Sequence, residues 1–234
     1  MDFSQRSAAP EYMDRADVAG KDLERALEEL EMVNRFLGGR RAALRALERV
    51  VPAEPEGGLE ILDLGTGAGD IPAAMVQWAR QRGWRVRVVA VDFNPAVVEW
   101  ARQRVGNAPG IEVRQEDAFS LPFGEDSFDV VHSGMFLHHF GRQEAVCLLR
   151  RMHQLCRRGL IVNDLRRHAL AYYGIRWITG LLSRSAMVRR DGPLSVLRGF
   201  WPEELEELGR LSGMALEVRR CWAFRLVAIA LKGS

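Results

Sequence analysis

Leu59-Glu60-Ile61-Leu62-Asp63-Leu64-Gly65-Thr66-Gly67-Ala68-Gly69-Asp70-Ile71 begins as a short apolar run. It stops at a carboxylate and then sets glycines at alternate positions ahead of a helix-like apolar segment. An apolar run bounded by glycines reads as a buried strand, so the stretch is a strand, a tight loop and the start of a helix. Glycine admits positive φ and lets a ligand lie against the main chain where a Cβ would collide with it. A loop of this build cradles something nucleotide-like.

The dinucleotide fingerprint Gly-x-Gly-x-x-Gly needs a third glycine for close helix packing and a helix N-terminus facing a pyrophosphate. Counted from Gly65, that third position is Asp70, and counted from Gly67 it is Pro72. Asp63 and Asp70 therefore flank the loop, and carboxylates beside a doubly anionic pyrophosphate are electrostatically wrong. A ligand carrying an ammonium and a sulfonium suits them better.

Asp63-Leu-Gly65-Thr-Gly67-Ala-Gly69 resembles the Asp-x-Gly-x-Gly-x-Gly signature of class I S-adenosylmethionine-dependent methyltransferases. Further motifs follow in the family's order. The apolar run 86–91 ends in Asp92, followed by Phe93-Asn94-Pro95; then come Gln115-Glu116-Asp117-Ala118, Leu121-Pro122-Phe123 and Ser127-Phe128-Asp129-Val130-Val131. The resemblance covers residues 59–164 well and the flanks less specifically. It implies an α/β fold: a doubly wound, mostly parallel seven-stranded Rossmann-like sheet with an antiparallel C-terminal edge hairpin and an N-terminal helical cap. It also implies S-adenosylmethionine as cofactor and S-adenosylhomocysteine as product. Gly65, Thr66, Gly67 and Gly69 then form the cradle, with Asp63 holding a water or the methionine ammonium. Asp92 grips the ribose hydroxyls, Asp117 and the amide of Ala118 read the adenine edge, and Phe93 packs on its face. Ser133 and Gly134 meet the methionine moiety. Taken alone, the residues keep plainer readings open: Asp92 as the N-cap of the next helix, Asp63 as a cap on the glycine loop, Asp117 as a turn acid and Phe93 as a core aromatic.

The chain has 234 residues, 47% hydrophobic and 27% charged, enough for one substantial core with additions. The division expected is a helical cap over 1–57 and a methyltransferase domain over 58–234, with a helical insertion at about 166–200. A formal net charge of +2 gives no bulk attraction to nucleic acid. All but two of the 33 basic side chains are arginine, which compositional bias explains without a function. Cys147, Cys156 and Cys221 fit no metal-ligand spacing and read as reduced, half-buried fillers. Residues 1–10 lack an apolar signal core and read as loose, and no run reaches the length of a membrane span. A cytoplasmic monomer or homodimer with no membrane partner is expected.

Leu23, Ala26, Leu27, Leu30, Val33, Phe36 and Leu37 recur at helical spacing, Gly38-Gly39 stops them, and Leu44, Leu47 and Val50 share one face of a second helix. Strands at 59–64, 86–91, 111–114, 128–132 and 160–163 alternate with helices at 71–81, 95–105 and 142–156, the pattern of a parallel doubly wound sheet. The insertion reads as a helix over 169–182, an arginine-rich loop over 183–190 and a turn at Asp191-Gly192-Pro193. A helix from Trp201 to about Arg210 and strands at 216–220 and 225–231 close the chain.

Ser133 to Phe140 follow the fourth strand, and open parallel sheets bind ligands outside the carboxyl ends of their strands. Methyl transfer is an in-line displacement that mainly needs alignment and exclusion of water, and a general base serves only an acceptor that must lose a proton. His138 and His139 titrate in the range suited to a phenol. His138 is preferred as the pocket-facing base, His139 stays open in that role, and both equally read as helix-start residues bonded to backbone. Asp164, Arg166 and Arg167 after the fifth strand, with Arg35 in the cap, are candidates to orient a polar substrate group, or else a surface ion-pair cluster. The acid that metal-dependent catechol methyltransferases place at the fourth strand's end is replaced by Ser133, so no metal is expected. The acceptor expected is small and partly apolar, phenolic or polyketide-like, and methylated on oxygen. The rivals are an RNA methyltransferase using Arg166, Arg167, Arg184, Arg189 and Arg190 as phosphate contacts, and a non-catalytic cofactor-binding module.

Overall fold

In the computed structural model, which describes residues 2–233 apart from Ala16, Glu54, Glu56 and Asn107, a single sheet organises the chain. Its strands are β1 (Leu59–Leu64), β2 (Val86–Asp92), β3 (Ile111–Gln115), β4 (Phe128–Gly134), β5 (Cys156–Leu165), β6 (Glu217–Cys221) and β7 (Arg225–Leu231). They lie in the order β3-β2-β1-β4-β5-β7-β6. β1 to β5 run parallel, and β7 enters antiparallel between β5 and β6.

The central strands read as near-continuous apolar runs because both their faces are covered. Along β1 the period of two sends Leu62 and Leu64 to one face and Leu59 and Ile61 to the other. The helices are α1 (Lys21–Phe36), α2 (Gly39–Val50), α3 (Asp70–Arg80), α4 (Pro95–Val105), α5 (Arg142–Leu155), α6 (Ala169–Leu182), α7 (Ala186–Arg198) and α8 (Pro202–Leu211). Leu148, Met152, Leu205 and Leu208 of α5 and α8 pack on the first face; Ala43, Leu47, Met75 and Trp78 of α2 and α3 pack on the second. α2 thus belongs to the sheet's own helical layer, while α1 reaches over the carboxyl edge, with Leu23 and Leu27 packed against Met187 and Val188 of α7.

The structure departs from the sequence expectations in several places. Asp191-Gly192-Pro193 makes no turn and 183–190 is not all loop, since α7 runs through Pro193. A local cap and tertiary bonds together override the turn signal: Ser185 caps the helix by accepting from the amide of Val188, and Asp22 of α1 accepts from the amides of Ala186 and Met187. Asp191 spends its carboxylate on the amides of Tyr12 and Met13. The segment before residue 11 is tied down: Arg6 donates to the carbonyls of Arg198, His138 and Phe140, and the Ser7 amide to that of Leu197. Cys147 is exposed, and only Cys156 is buried, with Cys221 between. Among the described residues no helix is long and apolar enough to cross a membrane.

Candidate active site

The carboxyl ends of β1, β2 and β4 open into a cavity of about 1000 Å³, roofed by α1, α6 and α7. That volume is at the upper end for a small-molecule site, room for a nucleoside cofactor and an acceptor together.

Around its floor the three glycines do different things. All have positive φ, at 66°, 53° and 74° for Gly65, Gly67 and Gly69. A Cβ on Gly65 would strike the ring of Phe136 at 2.3 Å, and one on Gly69 would meet Val105 of α4 at 3.0 Å. One on Gly67 would meet nothing within 4 Å, so at Gly67 the cavity itself comes up to the main chain. Gly69 does not line the cavity; its smallness serves helix packing, which corrects its expected place in the cradle.

Asp92 lines the cavity, accepting from the Gly67 amide at 3.1 Å and the Asn94 amide at 3.2 Å. Its plainer reading is removed, because α4 is capped by Asn94, whose Oδ1 accepts from the amides of Ala96 and Val97. Burial raises the Asp92 carboxyl above the usual range against these amide bonds, so a partner that restores hydrogen bonds to it favours its charged form. Phe93, Asp117 and Ala118 line the same end; Phe93 and Asp117 are exposed at the rim, and Asp117 accepts from the amide of Phe119. The Thr66 hydroxyl is buried without a hydrogen-bond partner and also lines the cavity. Gly134 lines it; Ser133 is buried and does not.

Asp63 meets His132, its register partner on β4, at 2.6 Å from Oδ1 to Nδ1, with both side chains buried. His132 also lines the cavity and its Nε2 has no partner, a residue that strand patterning hides because it falls at a core position of β4. Asp70 is buried, pairs with Arg40 at 3.0 Å and accepts from Asn34; burial outweighs these contacts and raises its carboxyl. Asn34 in turn accepts from Arg225, a fully buried guanidinium whose pKa burial lowers to about 10.

The histidines sit in a 3-10 turn, Leu137–His139, whose carbonyls are held by Arg6 and Arg198. His138 is fully buried, with Nδ1 2.6 Å from Asp164 and Nε2 3.4 Å from Glu11. Burial opposes its charge, but Asp164 and Glu11 outweigh that and raise its pKa to about 9. His138 lines the cavity, and its raised pKa and its pairing with Asp164 weigh against a role as base. His139 is partly exposed to the cavity, with Nδ1 2.5 Å from Asp14. Burial works against the Asp14 carboxylate, but His139 and Arg198 hold its pKa down to about 2. Glu11 and Asp14 were missed because Pro10-Glu-Tyr-Met-Asp14 carries no spacing tied to a known chemistry.

Glu11, His138 and His139 each bring a ligand-type atom within 4.8 Å of the others. The two imidazole centroids are 4.2 Å apart with planes 31° off parallel, and His139 Nδ1 is already bonded to Asp14. Arg198 lies 3.6 Å from Glu11, adding a positive charge where a cation would sit.

Among the substrate-side candidates, only Arg166 lines the cavity. Asp164 is fully buried and spent on the His138 ring and on the backbone amides of His138 and Leu165. Arg167 is fully buried, donating to the carbonyls of Phe3 and Gly199 and pairing with Glu204 at 2.6 Å, which also removes it as a phosphate contact. Arg35 is exposed outside the cavity beside Phe36.

Residues 61–159 match the model of a methyltransferase domain. Among curated proteins none matches the chain by sequence. Solved structures share the fold. A methyltransferase dependent on S-adenosylmethionine from Aquifex aeolicus superposes with a TM-score of 0.63 at 16% identity, over 89% of this chain and 97% of its own. Human N-acetylserotonin methyltransferase, solved with S-adenosylmethionine, gives 0.66 at 19% over 92% of this chain. A putative O-methyltransferase from Nostoc punctiforme gives 0.62 at 18% over 86%. The chain spans 57% and 58% of the length of these last two. With the glycine loop, the acid ending β2 and the open cavity beside them, residues 61–159 match a methyltransferase domain, and the chain shares the fold of S-adenosylmethionine-dependent methyltransferases.

Proposed function

We propose that the chain transfers a methyl group from S-adenosylmethionine to a hydroxyl of a small, partly apolar, phenolic or polyketide-like acceptor, with His139 as general base and Asp14 as the group that orients it. The observation that carries this reading is the His139–Asp14 pair, facing the cavity beyond the glycine loop and the acid of β2. Of the solved structures with this fold, one is named for N-acetylserotonin and another as a putative O-methyltransferase, names that support a small acceptor and transfer to oxygen.

When bound, the cofactor supplies a methyl group on a cationic sulfur. The chain's residues do the rest. Asp92 takes the ribose diol, and the Gly67 main chain makes room beside it. Phe93 and Asp117 serve the base, and Gly134 with the buried carboxylate of Asp63 serves the methionine end. The apolar cover from Leu30, Val33 and Leu37 of α1 and Ile175 of α6 excludes water. Asp14 holds His139 Nδ1, leaving Nε2 to take the acceptor proton as the oxygen attacks. His138, charged and fixed between Asp164 and Glu11, braces the turn that carries His139. No metal is required in this scheme.

The test is kinetic. His139→Ala is expected to lower kcat about 100-fold or more with cofactor affinity unchanged. Asp14→Asn is expected to lower it less. Wild-type turnover in His139→Ala removes the base from the mechanism. Bound cofactor with no transfer to a broad panel of phenols removes the enzyme reading of the site.

A further inference from the structure

α6 has the sequence Ala-Leu-Ala-Tyr-Tyr-Gly-Ile-Arg-Trp-Ile-Thr-Gly-Leu-Leu, with Arg176 its sole charge. A helix apolar on every side is normally buried. This one buries only Tyr172 and Thr179, on a single face. Leu170, Tyr173, Trp177, Ile178, Leu181 and Leu182 are all exposed, Trp177 and Leu182 by 71% and 70%. At 100° per residue they span about half the helix circumference. Leu170 and Ile178 also line the cavity, so the outward apolar face runs on into the cavity's wall.

The exposed charges of this segment itself are all positive. Arg176, Arg184, Arg189 and Arg190 are exposed, and the one acid between residues 169 and 198, Asp191, is buried on the amides of Tyr12 and Met13. The acids that α1 brings to the neighbouring turn, Asp22 and Glu29, are bonded to main-chain amides of residues 184–187. A helix with Trp, Tyr and Leu on its apolar face and arginines flanking it has the chemistry that lies in the interface of an anionic bilayer. Its 14 residues extend about 21 Å, short of a roughly 30 Å hydrocarbon core, so it would lie on the membrane and not span it.

We propose that α6 docks the protein peripherally on an anionic lipid surface, with its apolar face in the headgroup and acyl boundary and the cavity wall it forms turned toward the lipid. A second copy fits less well, because a two-fold contact sets the same arginines opposite one another with no acid of this segment to pair with them. Nucleic acid fits less well again, because large aliphatic side chains stand among the arginines where phosphate contacts would need polar ones.

The test is sedimentation of the full-length protein with vesicles of phosphatidylcholine, with and without phosphatidylglycerol. Binding to the anionic vesicles, weakened by salt, is expected. Trp177→Ser with Leu181→Ser should reduce it at least tenfold while cofactor affinity and the circular dichroism spectrum stay unchanged. Arg184→Glu with Arg189→Glu should lose the preference for phosphatidylglycerol. Absence of binding to both vesicles overturns the proposal. So does a concentration-dependent dimer that the Trp177/Leu181 variant abolishes, or binding to an RNA oligonucleotide that the arginine variant abolishes while vesicle binding is missing. The assay contains neither cofactor nor acceptor, so its failure leaves the methyl-transfer reading standing.

Discussion

At His138 the imidazole shares no solvent, and its response to pH follows from the two carboxylates that face it. Its folded pKa of about 9 lies above the usual 6.5, so its contribution to stability is complete below about pH 6.5 and is lost as pH rises through 9. Asp164 and Glu11, held below their usual values by His138 against the cost of burial, contribute above the ordinary carboxylate range and lose that contribution in acid. Urea midpoints should therefore be highest between about pH 5 and 6.5 and fall toward pH 9. His138→Gln should flatten the alkaline limb; a wild-type midpoint constant from neutrality upward would contradict the ion chain. On the proposed ribose contact, Asp92→Asn removes a charge already held by two amides, and calorimetry should show cofactor binding weaker by about 1.5–3 kcal/mol, roughly 10- to 150-fold.

Among the elements, α7 shows how tertiary contacts overrule local propensity. Gly192 and Pro193 sit inside it although each disfavours a helix, because Ser185, Asp22 and Asp191 anchor its first two turns. A Cβ at Gly192 would meet Ile175 at 3.4 Å and Thr179 at 3.7 Å, ordinary contact distances. Gly192→Ala should thus stabilise the fold by about 0.5–1 kcal/mol, read as a higher thermal midpoint; a lower one would mean that α6 and α7 cannot accept the added methyl. The alternation of strand and helix from β1 to β5 needed no such help. Its apolar runs are long, regular and bounded by glycine and proline, so local pattern and final fold agree there.

For the whole molecule, the cavity is a joint product of the sheet edge, α1 and the helical pair α6–α7, so a ligand that fills it should couple to global stability. At about 100 times its dissociation constant, S-adenosylmethionine should add about 2.7 kcal/mol, a rise of roughly 5–10 °C in Tm. A nicotinamide dinucleotide should give none, since Asp63 and Asp70 flank the loop where its pyrophosphate would rest. A dinucleotide shift without a cofactor shift would overturn the cofactor assignment.

From the sequence alone come the sheet, its helices and the cofactor edge. The strands, the helices packed on them and the glycine loop are legible because hydrophobic period and glycine spacing are local properties that a linear chain displays, whereas Asp92, Phe93 and Asp117 were pointed to by the resemblance to class I methyltransferases and line the same cavity. The acceptor side was decided only in three dimensions. Glu11 and Asp14 come from the N-terminal segment, His138 and His139 from the turn after β4, Asp164 from β5 and Arg198 from α7. Which histidine is charged, and which of Asp164, Arg166 and Arg167 faces the cavity, depends on burial and on partners distant in sequence. A residue's desolvation and its neighbouring charges are properties of the packed chain, and no spacing along it encodes them.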